Sequence, residues 1–342
     1  MGGTNLRFRN GAEQVSAAAC GAREAGRYVA KLLTAGALAC GSPALAIAGP
    51  SIAQFEMKQV ETEAGDIEFQ SQNAYSWDQP RRRFREVEPG EFIFDDNTVV
   101  AARNALELEV SWTDWFRTRV GIEFEKERID DPVTLGAADT FNSLKLDEYA
   151  AEAVVVLLPI KGDGFGIAWL TEFEKPVEQA EAMTLVIGPL IEAKQGPWRL
   201  LLNLFVTRFL GGEPDELGGS RDNKWDFNYA AQVKYDFSNG LELALEGYGT
   251  VDRIGNTGTR NEEALIFGDN DLHRLGPILY YTTKLGHGSV GHRKGAGASS
   301  DGDEDNDDDD DVPTATFGIG PLIGLNNNTP DLTLKLSLEI DF

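Results

Sequence analysis

The chain has 342 residues and a formal net charge of −25, from 31 Lys and Arg against 56 Asp and Glu. Its mean hydropathy of −0.28 and the absence of any stretch approaching the roughly 20 apolar residues of a spanning helix exclude a polytopic helical membrane protein. So acidic a chain also argues against nucleic acid as a partner, because phosphate affinity comes from concentrated Lys and Arg. A membrane β-barrel stays open, since only alternate residues of its strands meet lipid and average hydropathy stays low.

The N-terminal region reads as an export signal over residues 1–48. Arg23, Arg27 and Lys31 precede an apolar run from Leu32 to Cys40, and small residues follow at Ser42-Pro43-Ala44-Leu45-Ala46. A basic segment, a short apolar core and an Ala-x-Ala-type site predict cleavage after about Ala46 or Ala48. The basic part is long for such a signal, which suggests a true start nearer Arg23 or Arg27. Cys20 and Cys40 both fall inside it, so the mature chain is expected to contain no cysteine. Ala37, where a lipoprotein site prefers Leu, argues against lipidation at Cys40. Residues 49–65 are then expected to form a periplasmic N-terminal segment.

From Asp66 onward the period is two. Alternating stretches predict twelve strands: Asp66–Trp77, Val99–Trp112, Trp115–Glu127, Leu144–Leu158, Gly164–Glu174, Ala182–Ala193, Trp198–Phe209, Trp225–Phe237, Leu241–Val251, Arg274–Leu285, Thr314–Leu325 and Leu332–Phe342. Ser238-Asn239-Gly240 marks a hairpin turn. The last strand alternates without a break, and it ends on Phe342. Such an ending resembles the terminal strand that the bacterial outer-membrane insertion machinery recognises, so Phe342 is the expected assembly signal. The predicted fold is an all-β antiparallel transmembrane barrel over residues 66–342, with lipid as its surroundings and the bacterial outer membrane as its location.

An even strand count puts both ends of the barrel on the periplasmic side. Short turns at Ile160–Asp163 and Lys194–Gly196 then face the periplasm, and long connections at Gly211–Lys224 and Asp252–His273 face outward. The connection Gly286–Pro313 breaks this rule, being long yet periplasmic by count. Aromatic residues gather at strand ends: Trp112, Trp115, Trp198, Phe237 and Phe342 at the periplasmic end, Phe209 and Trp225 at the outer one. Two such girdles are expected where rings meet headgroups.

Alternation assigns the other face to a lumen. It places Glu107, Glu109, Arg117, Arg119, Glu123, Glu125, Arg199, Lys234, Glu242, Glu246, Arg274, Lys335 and Glu339 inside, since an ionised group facing hydrocarbon near mid-bilayer would cost ~2–4 kcal/mol. Two readings stay open. An acidic wall with scattered basic residues could line a narrow path for cations or small solutes. Alternatively, Glu–Arg and Glu–Lys pairs could zip neighbouring strands and close the barrel.

Enzymatic motifs are weak. His287-Gly288-Ser289 has the His-x-Ser spacing of a twelve-stranded outer-membrane phospholipase, but it lies in a Gly-rich connection where a rigid triad has no support. Asp301–Asp311 holds nine acids yet fails the EF-hand template, with Asn306 where Gly is needed and Val312 where Glu is needed. A solvated acidic loop with loose, exchangeable divalent-cation binding is the expectation there. No catalytic residue and no cofactor is expected.

Three stretches carry a family resemblance: Asn104-Ala-Leu-Glu-Leu-Glu-Val-Ser-Trp-Thr-Asp-Trp-Phe-Arg-Thr118, His273-Arg-Leu-Gly-Pro277, and Gly324 to Lys335. Over roughly Asp66–Phe342 the chain resembles uncharacterised proteobacterial outer-membrane proteins, akin to channels encoded near aromatic-degradation and metal-resistance genes. The resemblance implies a barrel channel and assigns no functional residue. The acidic run departs from that pattern, because those relatives connect strands ten and eleven tightly.

Overall fold

The computed structural model describes residues 55–80, 83–88, 91–95, 98–129, 144–178, 181–212, 223–258, 271–286 and 312–342. The expected export signal, His287-Gly-Ser289 and the acidic run Asp301–Asp311 lie outside these residues. Fourteen strands follow in chain order: β1 Ile67–Pro80, β2 Arg83–Glu88, β3 Glu91–Asp95, β4 Thr98–Thr113, β5 Phe116–Ile129, β6 Lys145–Leu158, β7 Phe165–Pro176, β8 Met183–Gln195, β9 Trp198–Leu210, β10 Trp225–Asp236, β11 Leu241–Val251, β12 Leu272–Lys284, β13 Thr314–Gly324 and β14 Leu332–Asp341.

β1 and β4–β14 close into one antiparallel barrel of twelve strands, with β1 bonded to both β4 and β14. These are the twelve strands that the alternation predicts, with ends shifted by up to three residues. The seam registers Glu68 opposite Asp341 and Trp77 opposite Leu332. The Phe342 amide donates to the Ile67 carbonyl at 3.0 Å, which ties the last residue to the first strand. Closure leaves no edge strand unpaired. The sequence reading lacks β2 and β3, which pair as a separate hairpin between β1 and β4, Phe84 opposite Phe94. These strands are too short to carry a period, although Pro89-Gly90 between them is ordinary turn chemistry.

The wall inverts the polarity of a soluble protein. Its outside is apolar: Trp112 is 61% exposed, Val120 59%, and Leu245 and Ile319 50% each. A continuous apolar exterior of this kind is incompatible with water and suits hydrocarbon. Trp112, Trp115, Trp198, Phe237 and Phe342 lie at the rim where the barrel begins and ends, and Phe209 and Trp225 lie at the other, as the girdles require. Trp198 packs edge-on against Tyr235 at 4.8 Å, while Lys224 lies 4.7 Å over the Phe209 ring.

Three strands carry an internal Gly-Pro pair: Gly188-Pro189 in β8, Gly276-Pro277 in β12 and Gly320-Pro321 in β13. Proline cannot donate to a ladder. Pairing of β12 with β13 accordingly stops after Leu275–Ile323 and resumes at Leu279–Ile319. The glycines let the two backbones close in across the gap. A Cβ on Gly276 would lie 1.8 Å from the Pro321 carbonyl oxygen, and one on Gly320 2.0 Å from that of Pro277.

Candidate functional site

The side chains expected to carry charge into a lumen are buried or half-buried, and they group into separate networks. Arg119 of β5 bridges four carboxylates: Glu109 at 2.8 Å and Glu107 at 3.3 Å on β4, Glu68 at 3.8 Å on β1, and Glu56 before the barrel. Arg117 reaches Glu109 at 3.2 Å. Glu125 and Glu123 bond Arg103, at 2.8 and 3.4 Å. Across the lumen Lys335 of β14 donates to Glu246 of β11 at 2.8 Å, and Tyr248 and Tyr280 add their hydroxyls to the same carboxylate. Lys234 pairs with Glu242 at 2.7 Å. Glu339 meets Glu68 and Asp341 at the rim where the chain ends converge, with one oxygen of each within 4.8 Å of the others.

The main departure from expectation is the segment before β1. Residues 55–60, expected as part of a periplasmic segment, instead pack inside the barrel, and residues 61–64 lead out to its rim. Two apolar patches on the inner wall explain why. Phe55 packs among Ala74, Ala105, Ala230, Tyr248, Ile278 and Leu322, and Val60 packs against Val154, Ala168, Leu170, Val186 and Leu190. Between these anchors the charges are complementary. Lys58 bonds Glu152 of β6, as well as Glu56 at 2.9 Å, and all three are at most 5% exposed.

The backbone of the segment is also satisfied by the wall. The Val60 amide donates to Glu192 at 2.9 Å, and the Tyr248 hydroxyl donates to the Phe55 carbonyl at 2.8 Å. Arg117 donates to the carbonyls of Gln59 and Glu61 at 2.5 and 2.6 Å. With its side-chain amide turned, Asn203 brackets the Lys58 backbone, accepting from its amide at 2.8 Å and donating to its carbonyl at 3.1 Å. Arg199, expected on the wall, donates to the Gln59 side chain at 2.8 Å and pairs with Glu192 at 3.2 Å.

Electrostatics hold this arrangement. Burial would push the Glu56 carboxyl upward, but Arg119 and Lys58 outweigh it and hold the group below the ordinary carboxylate range. Burial would likewise lower Lys58, but Glu152 and Glu56 beside it raise it well above the usual lysine value. Both groups are therefore charged at neutral pH.

The wall of β5–β7 carries five buried glutamates, Glu123, Glu125, Glu152, Glu172 and Glu174, and two buried arginines, Arg117 and Arg119, so it is acidic on balance; the buried cations of β12–β14 are Arg274 and Lys335. Among these cations Arg274 stands apart. It is 4% exposed, its Nη1 donates to Thr333 at 3.3 Å, and its guanidinium lies 4.5 Å over the Phe55 ring.

Sequence reasoning missed Arg103, Glu152, Glu192 and the Tyr248–Tyr280 pair. Arg103 shares the odd-numbered face of β4 with Glu107 and Glu109, so parity could have found it. Glu152 sits in Ala150-Ala-Glu-Ala-Val-Val-Val156, where both faces are apolar and alternation carries little signal. At the opposite rim, the Tyr229 hydroxyl meets His273 Nδ1 at 2.9 Å, with Asp271 3.7 Å from the same ring. Gly249, which stands between Tyr229 and His273 in the ladder, leaves room for the Tyr229 ring to cross.

No family model matches the chain, and no curated protein matches it in sequence. The fold does have counterparts. An outer membrane channel from Pseudomonas putida F1 is similar over 81% of this chain and 95% of its own, with a TM-score of 0.53 and 9% identity. The translocator domain of the autotransporter NalP from Neisseria meningitidis gives a TM-score of 0.40 at 10% identity, over 82% and 88% of the two chains. A Pseudomonas aeruginosa FadL homologue gives 0.36 at 9%, over 81% and 90%. The first of these supports the outer-membrane barrel fold. The family resemblance read from the sequence gains that support in fold and none at the level of sequence.

Proposed function

We propose that this chain is a bacterial outer-membrane channel of narrow bore that passes small solutes with a preference for cations. The observation that carries the reading is the inverted wall, apolar outside and charged inside, closed without an edge. A membrane barrel built only as an anchor has no need of so many ionised groups on its inner face, each costly to remove from water. In this reading residues 55–60 constrict the lumen, the strand ending on Phe342 engages the insertion machinery, and the barrel works without a catalytic group. The acidic wall of β5–β7 focuses a negative field in the lumen and gives the cation preference.

A second reading, a closed structural barrel that works through its outer loops, draws on the same ion pairs and on the filled lumen. Single-channel recording separates the two. The channel reading expects small currents whose reversal potential in a salt gradient favours cations, and weaker selectivity after Glu123→Gln with Glu125→Gln. Anion selectivity, or selectivity unaltered by those changes, contradicts the lumen assignment. A barrel that passes no current even after deletion of residues 49–64 supports the closed reading.

A further inference from the structure

Arg274 is the buried lumen cation whose chemistry the ion-pair networks leave unused. Lys58, Arg103, Arg117, Arg119 and Lys335 each bond a carboxylate, whereas Arg274 forms no ion pair among the described residues. A guanidinium offers five N–H donors and stays charged at any working pH. Here one donor reaches Thr333 at 3.3 Å, while Nη2 is buried without a hydrogen-bond partner. What covers the group is an aromatic face, the Phe55 ring 4.5 Å away, which attracts the cation but accepts no in-plane hydrogen bond. A buried charge in this condition is destabilised relative to one with a hydrogen-bonded counter-ion.

Phe55 is also the first described residue of a segment that lies on the wall without being woven into the sheet. Around it stand Ile278, Leu322, Ala74 and Tyr248, an apolar pocket large enough to hold a phenyl ring. The place beside Arg274 thus combines a two-pronged donor with an apolar seat, which suits a carboxylate on a small apolar body.

We propose that Arg274 is a carboxylate-recognition residue of the lumen, and that a small organic monocarboxylate binds it by displacing the Phe55 ring and with it the N-terminal segment. The inference rests on the reading of the lumen as a path for small solutes; it adds one anion-recognition point on β12 to a lumen whose acidic wall, β5–β7, sets the preference of small ions for cations. The ligand supplies the acceptors that Phe55 lacks, so it binds the uncovered state better than the covered one and shifts the balance between them. By the same linkage, loosening Phe55 must strengthen carboxylate binding.

The test uses the full mature chain refolded in detergent, with sodium butyrate as the probe and butanol and sodium chloride as controls. Calorimetric titration should give one butyrate site. Arg274→Gln should weaken it at least about tenfold, the scale expected for a lost charge-assisted pair. Phe55→Ala, which keeps the arginine and removes its cover, should tighten it several-fold. Butyrate should also speed tryptic cleavage after Lys58 in the wild-type chain, whereas butanol and chloride should not. Equal binding by the Arg274→Gln and wild-type chains, no gain in Phe55→Ala, or an equal response to chloride or butanol overturns the assignment. Butyrate binding without faster cleavage overturns the displacement. Currents recorded on the same preparations keep the two claims apart. Arg274-dependent binding in a barrel that never conducts refutes the channel reading alone, and a conducting barrel without such binding refutes the site alone.

Discussion

Replacing Lys58 by methionine keeps most of the side chain's length and removes its charge. In the native lumen Lys58 serves Glu152 and Glu56, and it is the cation bonded to Glu152 among the described residues. Removing one partner of a buried pair costs about 3–5 kcal/mol, because the remaining charge is left in a medium that cannot solvate it. The cost falls only on the state in which the segment is docked; once the segment leaves, water reaches Glu152. At 1.4 kcal/mol per factor of ten, Lys58→Met should favour the undocked state by roughly 10²- to 10⁴-fold. Single-channel recording should then give a larger or longer-lived open level, and chymotrypsin should cleave after Phe55 much faster. The double change Lys58→Met with Glu152→Met should return both readouts toward wild type, since exchanging a whole buried pair for apolar groups is close to neutral. Wild-type behaviour of the single variant, or a double variant looser than the single, would refute the reasoning.

Acid should open the same contact. The Glu56 carboxyl titrates lower in the docked state than its ordinary 4.5, so its contribution is complete above that value and is lost as pH falls below it; the rise in conductance that comes from this contact should appear only in acid stronger than that, and Glu56→Gln should abolish that step. Gly276→Ala must push the Pro321 carbonyl away, at an overpacking cost of about 1–3 kcal/mol, and should lower the temperature at which the barrel loses its heat-modifiable mobility on gels. Gly247→Ala is the control, since its nearest contact is the movable tip of Leu275 at 3.3 Å. Deleting Phe342, which bonds Ile67 across the seam, should reduce the folded yield in the outer membrane; an unchanged yield counts against its role as the assembly signal. An epitope tag at Ser299 should stay unlabelled on intact cells, because β12 ends and β13 begins at the rim where the barrel's own ends lie; surface labelling would put that rim outside.

How far the sequence could be read depended on whether one face was clearly wet. The run Asp331-Leu-Thr-Leu-Lys-Leu-Ser-Leu-Glu-Ile-Asp-Phe342 leaves no choice of face, and β14 follows it residue by residue. Alternation fails where the lumen itself is apolar. Val154, Leu170, Leu190, Leu201 and Ile278 point inward in strands whose outer faces are also apolar, and nothing in their spacing marks them as a seat for another segment. The occupant was equally hidden. Phe55-Glu-Met-Lys-Gln-Val60 is a short mixed stretch whose partners lie roughly 20 to 270 residues away along the chain. Its apolar and charged residues have a destination only once the barrel has closed around them. For the thirteen expected lumen positions alternation assigned a face, whereas the pairing of Arg119 with four carboxylates and the isolation of Arg274 came from register and from the segment itself.

The docked segment is continuous with β1: about nine residues separate Lys58 from Ile67, a reach of at most roughly 30 Å. A ligand on so short a leash rebinds as if present at millimolar concentration, whatever the concentration of the protein. Each departure from the wall is therefore an excursion and not a release, and the conducting state should appear as brief flickers of one molecule without any dependence on dilution. A free peptide of the same ten residues lacks that advantage. Added to a barrel from which the segment has been removed, it should restore the block only near millimolar concentration, and it should wash out where the native segment cannot.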